Sequence, residues 1–131
     1  MNISDITVKK ANGTTDVVYT GVTGSAGDKS PAVYKNKTVG TTPAQNPTFT
    51  LVGADNGTGT SRRLKFSGQW PVVKQDAGGN VIVSGRSSVE GSFLLPQNIS
   101  QAEIDEVVHQ FTGLLASAEV RAQLKSGYAA R

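Results

Sequence analysis

Cysteine is absent from the 131 residues, and histidine, tryptophan and methionine each occur once. Without cysteine there are no disulfides, no thiolate nucleophile and no zinc site built on sulfur. The single imidazole, His109, has no Ser–Asp partner set, metal-ligand spacing or paired carboxylates around it that would read as a catalytic site. No enzyme activity, no metal and no cofactor is therefore expected. No apolar run approaches the roughly 18 residues that a membrane span needs, so no membrane partner is expected either. The opening MNISDITVKK has no apolar core of a secretory signal, and synthesis in the cytoplasm is the expectation. Aromatics are scarce at 6% and charged residues make up 18%, while glycine is plentiful at 15. That is the composition of an ordered, turn-rich β protein rather than a disordered chain. The length suits one domain, 1–131.

What is present is organised around residues 81–117. VIVSGRSSVEGSFLLP reads as one long strand ended by Pro96, and SQAEIDEVVHQFTGLLAS as the helix that follows. Ile104, Val107, Val108, Phe111, Leu114 and Leu115 recur at three- and four-residue steps, one apolar stripe about 120° wide at 100° per residue. Ser100 followed by Glu103 spells a capping box at the start of this helix. Ser117 can cap a second, shorter helix, AEVRAQLK, which Gly127 ends. An amphipathic helix needs an apolar floor, and only a sheet made from the upstream residues can supply one. A stripe led by Phe111 and Leu115 is more than one small sheet covers, so a second copy of the chain is expected to share the task.

Upstream, residues 1–20 hold a hairpin. Asn12-Gly13 is a strong type I′ turn signal, and a two-residue loop there places Lys9 opposite Asp16, Val8 opposite Val17 and Ile6 opposite Tyr19. Residues 21–30 read as a loop, 31–37 as a short strand, and 38–46 as another loop closed by Pro47. PTFTLVG alternates Phe49 and Leu51 against Thr48 and Thr50. DNGTGT, at 55–60, reads as a turn, since it lacks the lysine and helix that follow a phosphate-binding loop. In SRRLKFSGQWPVVKQ, Leu64, Phe66 and Trp70 share one face, and Arg63, Lys65, Ser67 and Gln69 the other. After the loop 76–80, Val89, Phe93 and Leu95 alternate with Arg86, Ser88, Glu90 and Ser92.

Three consecutive strands thus carry an apolar and a polar face. The apolar faces form the floor for helices. The polar faces form an open platform of Thr, Ser, Arg and Lys. Up to Gln75 nine Lys and Arg stand against four Asp and Glu, and from Asp76 onward four stand against six. The sheet half is basic and the helix half acidic, which points to a polyanion on the sheet. A cellular nucleic-acid-binding module would share the basic face, but should also present aromatic rings on it for base stacking. Here Phe66 and Trp70 fall on the opposite face.

From about residue 46 onward the chain resembles the coat proteins of single-stranded RNA bacteriophages, the levivirus type. The stretches that carry the resemblance are TSRRLKFSGQWP, the Gly78-Gly79 loop, SSVEGSFLLP followed by Ser100 and Glu103, and TGLLAS with its short helix and late Tyr128. The last looks closest to the Q-beta branch. The resemblance implies an α+β fold of an N-terminal hairpin (1–20), a five-stranded antiparallel sheet (31–96) and two C-terminal helices (100–126). It implies an interlocked dimer, with Ile104, Val108, Phe111 and Leu115 at the interface, that assembles into an icosahedral shell in the bacterial host cytoplasm and ends in the virion. The implied partners are further copies of the chain and single-stranded genomic RNA. An RNA hairpin at the replicase start, bound by the dimer, would also repress translation.

Residue by residue, Arg63, Lys65 and Ser67 match RNA-facing positions of the family's basic strand. Thr48 and Thr50 match a pair of small polar residues whose pocket receives an unpaired adenine. Ser88 and Glu90 match positions where well-studied members carry a stacking Tyr and an Asn. With no ring at Ser88 and a carboxylate at Glu90, the resemblance implies that this chain does not read the same hairpin.

Overall fold

The computed structural model describes residues 2–55, 57 and 59–131. The chain divides into two compact units, Met1–Leu94 and Leu95–Arg131.

The first unit is a six-stranded antiparallel sheet with its strands in sequence order: β1 (Ile6–Lys9), β2 (Asp16–Thr23), β3 (Pro31–Lys35), β4 (Thr48–Asp55), β5 (Ser61–Gln75) and β6 (Val81–Pro96, whose last two residues fall in the second unit). The expected antiparallel sheet differs only in its count: residues 31–96 hold four strands rather than five, and β2 joins them to the hairpin. Its first half pairs with β1, and its second half continues past the expected end at residue 20 to pair Thr20 with Lys35 and Thr23 with Val33. An irregularity between Gly21 and Thr23 bends the strand from one partner to the next.

The hairpin register is the expected one, with Lys9 opposite Asp16, Val8 opposite Val17 and Ile6 opposite Tyr19, and Lys9 and Asp16 form an ion pair. The turn type is not. A type I′ turn needs positive φ at both central residues, and only Gly13 has it, at 75°. Instead Gly13 N–H donates to the Lys10 carbonyl and Lys10 N–H to the Thr15 carbonyl, giving a longer loop. The Asn12 side-chain oxygen accepts from the backbone N–H groups of Thr14 and Thr15, both at 3.0 Å, and so replaces what the second positive φ would have supplied.

Strand β3 stops two residues short of the expected 37. Asn36 turns inward, its N–H donating to the Pro47 carbonyl and its side-chain oxygen accepting from Thr38. The turn expected at 55–60 includes Asn56 and Thr58, which lie outside the described residues.

Alternation fixes the two faces. Thr48, Thr50 and Val52 stand opposite Gln69, Ser67 and Lys65, while Phe49 and Leu51 stand opposite Gly68 and Phe66. On the apolar side the Phe66 and Phe93 rings lie 6.3 Å apart, and Trp70 Nε1 donates to Tyr19 Oη at 2.8 Å. Ile6, Val8, Tyr19, Phe49 and Trp70 line an apolar groove of about 270 Å³ there.

The second unit is a helix pair, α1 (Gln101–Ala116) and α2 (Ala118–Ser126). The capping box forms as expected: Glu103 N–H donates to Ser100 Oγ at 3.3 Å and Ser100 N–H to the Glu103 carboxylate at 3.0 Å. Ser117 serves both helices, donating to the Leu114 carbonyl and accepting from Val120 N–H. Along the expected stripe Ile104 and Val108 are half-buried, while Val107, Phe111, Leu114 and Leu115 are 39–59% exposed.

Among the described residues no aliphatic or aromatic side chain is buried, and of the apolar residues only Pro47 and Pro71 are.

Candidate nucleic-acid interface

The polar face of β4, β5 and β6 is concave at its centre. Thr48 and Thr50 from β4, Ser67 from β5, and Ser88 and Glu90 from β6 line one groove of about 530 Å³, joined by Gly68, Gln69 and Val89. Five of the seven residues singled out in the sequence therefore meet in one place. The other two, Arg63 and Lys65, line an adjoining hollow of about 310 Å³ with Glu90, Gly91 and Ser92. Glu90 is the wall common to both.

The groove's lining is hydroxyl-rich because threonine and serine occupy alternate positions of strands whose other positions are apolar. Hydroxyls donate and accept, so the surface can take phosphate oxygens, ribose hydroxyls or base edges. Arg63 and Lys65 are exposed and form no ion pair among the described residues. Their charge is available to an anion, Arg63 as a fork and Lys65 as a point charge. Glu90 opposes them, since a carboxylate beside the hollow repels phosphate.

Arg62, one residue earlier, points the other way and has a different task. Its guanidinium holds Asp28 in a two-pronged contact at 2.7 and 2.9 Å and reaches Asp55 at 2.9 Å. The hydrogen bond from Arg62 draws the Asp28 carboxyl below the usual carboxylate range. Arg62 is in turn raised by Asp28 first and Asp55 second. Of two neighbouring arginines, one ties the 24–30 loop to the β4–β5 hairpin and the other is left on the polar face.

No known family profile matches the sequence, and neither does any curated protein. Solved structures do match, along nearly the whole chain. The virus-like particle of bacteriophage NT-214 superposes with a TM-score of 0.83 at 12% identity, covering 98% of both chains. That of Beihai levi-like virus 21 gives 0.81 at 18%, again with 98% of both covered. An unassembled virus coat protein dimer, a bacteriophage RNA-binding dimer, gives 0.70 at 13%, covering 98% of this chain and 97% of the other.

This chain has the RNA-phage coat-protein fold.

Within the coat-protein fold, the sequence reading missed Gln69 as a groove residue, although it continues the alternation that marked Ser67. It placed Arg63 on the polar face and assigned Arg62 no role. Period-two alternation alone separates them, but the acids that occupy Arg62 come from 7 and 34 residues away.

Proposed function

We propose that the chain is a structural shell protein of an RNA bacteriophage. It dimerises, assembles into a closed icosahedral particle in the host cytoplasm, and packages single-stranded RNA against the polar face of its sheet. The observation that carries this reading is the pair of opposed faces on β4–β6, one hydroxyl-lined and cationic, the other apolar without a buried core. The fold shared with virus-like particles and a coat protein dimer supports it.

The dimer reading follows from the apolar surface that each unit leaves open: Leu64 on the sheet is 41% exposed, and Phe111 and Leu115 on α1 are each 39% exposed, which a second copy would cover. In the proposed dimer, Ile104, Val108, Phe111 and Leu115 of each copy cover the partner's apolar sheet face.

RNA lies across Thr48, Thr50, Ser67, Ser88 and Glu90, with Arg63 and Lys65 neutralising phosphates. Any hairpin held there, including one that represses replicase translation, is read by hydroxyls and not by ring stacking, because Ser88 carries no ring.

Expression of the chain alone, followed by light scattering, electron microscopy and ultraviolet absorbance, tests the proposal. Closed particles with a 260 nm excess are expected. A small oligomer that binds RNA without closing would establish a nucleic-acid-binding module instead. A small oligomer without RNA would overturn both readings.

A further inference from the structure

The only buried polar side chains among the described residues, Asn36 and Gln45, both serve the segment 36–46. Gln45 Oε1 accepts from Thr41 N–H at 2.6 Å and from the Thr41 hydroxyl at 3.2 Å, and its Nε2 donates to the Val81 carbonyl at 3.1 Å. Asn36 holds the other end through Thr38 and Pro47. Burying polar groups costs free energy unless they are satisfied, and these are satisfied. The segment is thus held in one shape, and a single 3-10 turn, Pro43–Gln45, completes it.

That shape encloses a cleft of about 360 Å³, whose lining includes Lys35, Lys37, Thr42, Asn46 and Val22, and no acidic residue. Lys35 and Lys37 form no ion pair among the described residues. The Thr41 hydroxyl is committed to Gln45, so the side-chain donors open to a ligand are the two ammonium groups, the Thr42 hydroxyl and the Asn46 amide.

The cleft is continuous with the platform. Lys35 pairs with Thr48, and Thr48 with Gln69. The three lie in one row across β3, β4 and β5, at about 4.8 Å per strand. Thr48 and Gln69 line the central groove and Lys35 lines the cleft.

We infer that the Lys35–Lys37 cleft is a second phosphate site, which takes the sugar-phosphate backbone of an RNA strand as it leaves the central groove toward β2. This rests on the reading of the polar face as the RNA side. Lysines contact phosphate as point charges, so the site adds affinity and direction to the strand's path without reading sequence.

The test is filter binding of an oligouridylate about twelve nucleotides long to the full chain across a salt series. Lys35→Gln/Lys37→Gln is expected to lower the salt slope by about 1.4, two phosphates at about 0.7 each. Between 50 and 200 mM salt that variant then loses about sevenfold less affinity than wild type. Lys37→Gln alone, at an exposed position, is expected to lower the slope by about 0.7 and serves if the double variant folds poorly. Lys10→Gln/Lys29→Gln removes the same charge elsewhere, and an equal drop there overturns the inference. If Lys65→Glu lowers the slope and the cleft variants do not, the cleft is overturned and the central platform stands. If only the cleft variants lower it, the cleft stands and the central platform fails. If none does, both fail.

Discussion

The two faces of the sheet are made by the same strands, yet they make opposite demands. The polar face is complete within one chain: water satisfies its threonines, serines and lysines, and it exists whether or not RNA is bound. The apolar face is incomplete. Phe49, Leu51, Leu64 and Phe66 share it, and none of them is fully buried, with Leu64 still 41% exposed. At about 25 cal/mol per Å², leaving such surface wet forfeits much of the stabilisation that folding needs. A single sequence thus states the proposed binding surface outright and the proposed need for a second copy only by omission.

The comparison breaks most easily from the apolar side. Leu115→Asp is expected to abolish dimers and particles. It removes roughly 1.5–3 kcal/mol of burial per copy and adds an unpaired carboxylate to the proposed interface. Size-exclusion chromatography with light scattering checks this. A folded wild-type monomer at micromolar concentration would remove the premise.

A subtler apolar change is Gly91→Ala. An added methyl there would meet the Phe66 ring at 2.6 Å, whereas one at Gly85 on the same strand meets nothing within 4 Å. Overpacking of this kind costs about 1–3 kcal/mol, so Gly91→Ala should lower the melting temperature by several degrees, while Gly85→Ala should not.

On the polar side, charge changes should move RNA and leave stability alone. Lys65→Glu is expected to reduce packaged RNA and to flatten the salt slope by about 0.7 for each phosphate that is no longer neutralised. Its melting temperature should stay within that of a surface substitution, about 0.5 kcal/mol. Glu90→Asn has the opposite sign. Removing one carboxylate near phosphate, worth up to about 1 kcal/mol in water, should tighten binding by up to about fivefold at low salt. Filter binding measures both, and an unchanged Glu90→Asn would place the phosphates away from β6.

The smallest effect concerns Arg62 and Asp28. Because the folded state holds the Asp28 carboxyl below its ordinary value of 3.8, the unfolded chain takes up that proton first as pH falls. The contribution is complete above pH 4 and is lost below it as the folded carboxyl titrates. Asp28→Asn should remove this part of the acid sensitivity, read as faster amide exchange in residues 24–30 at pH 6 and a shallower fall of the melting temperature between pH 4 and 2.

Much of the fold was legible because its signals are local. The strand limits of β5 and β6, the capping box, the Ser117 cap of α2 and the register of the first hairpin all depend on residues a few positions apart. The turn type was misread because Asn-Gly predicts backbone angles, whereas the Asn12 side chain offered the same hydrogen bonds by another route. The end of β3 was misread because Asn36 and Lys37 look like strand residues until Pro47 and Thr38 are seen to hold Asn36. Of the candidate site, the residues were legible from alternation but their division was not. Nothing along the chain says that Thr48, Thr50, Ser67, Ser88 and Glu90 share one groove while Arg63 and Lys65 line the next.

By itself the sequence determined which side chains share a face, since period two in strands and 3.6 in helices follow from backbone geometry. It also determined where each helix begins and ends, because caps are made by neighbours. Only the tertiary structure decided that β2 serves two partners, that Arg62 is spent on Asp28 while Arg63 is not, and that Gln45 reaches Val81 to hold the basic cleft in shape. Arg62 and Asp28 stand 34 positions apart in the chain, and Gln45 and Val81 stand 36 apart. No local preference encodes which distant groups will meet.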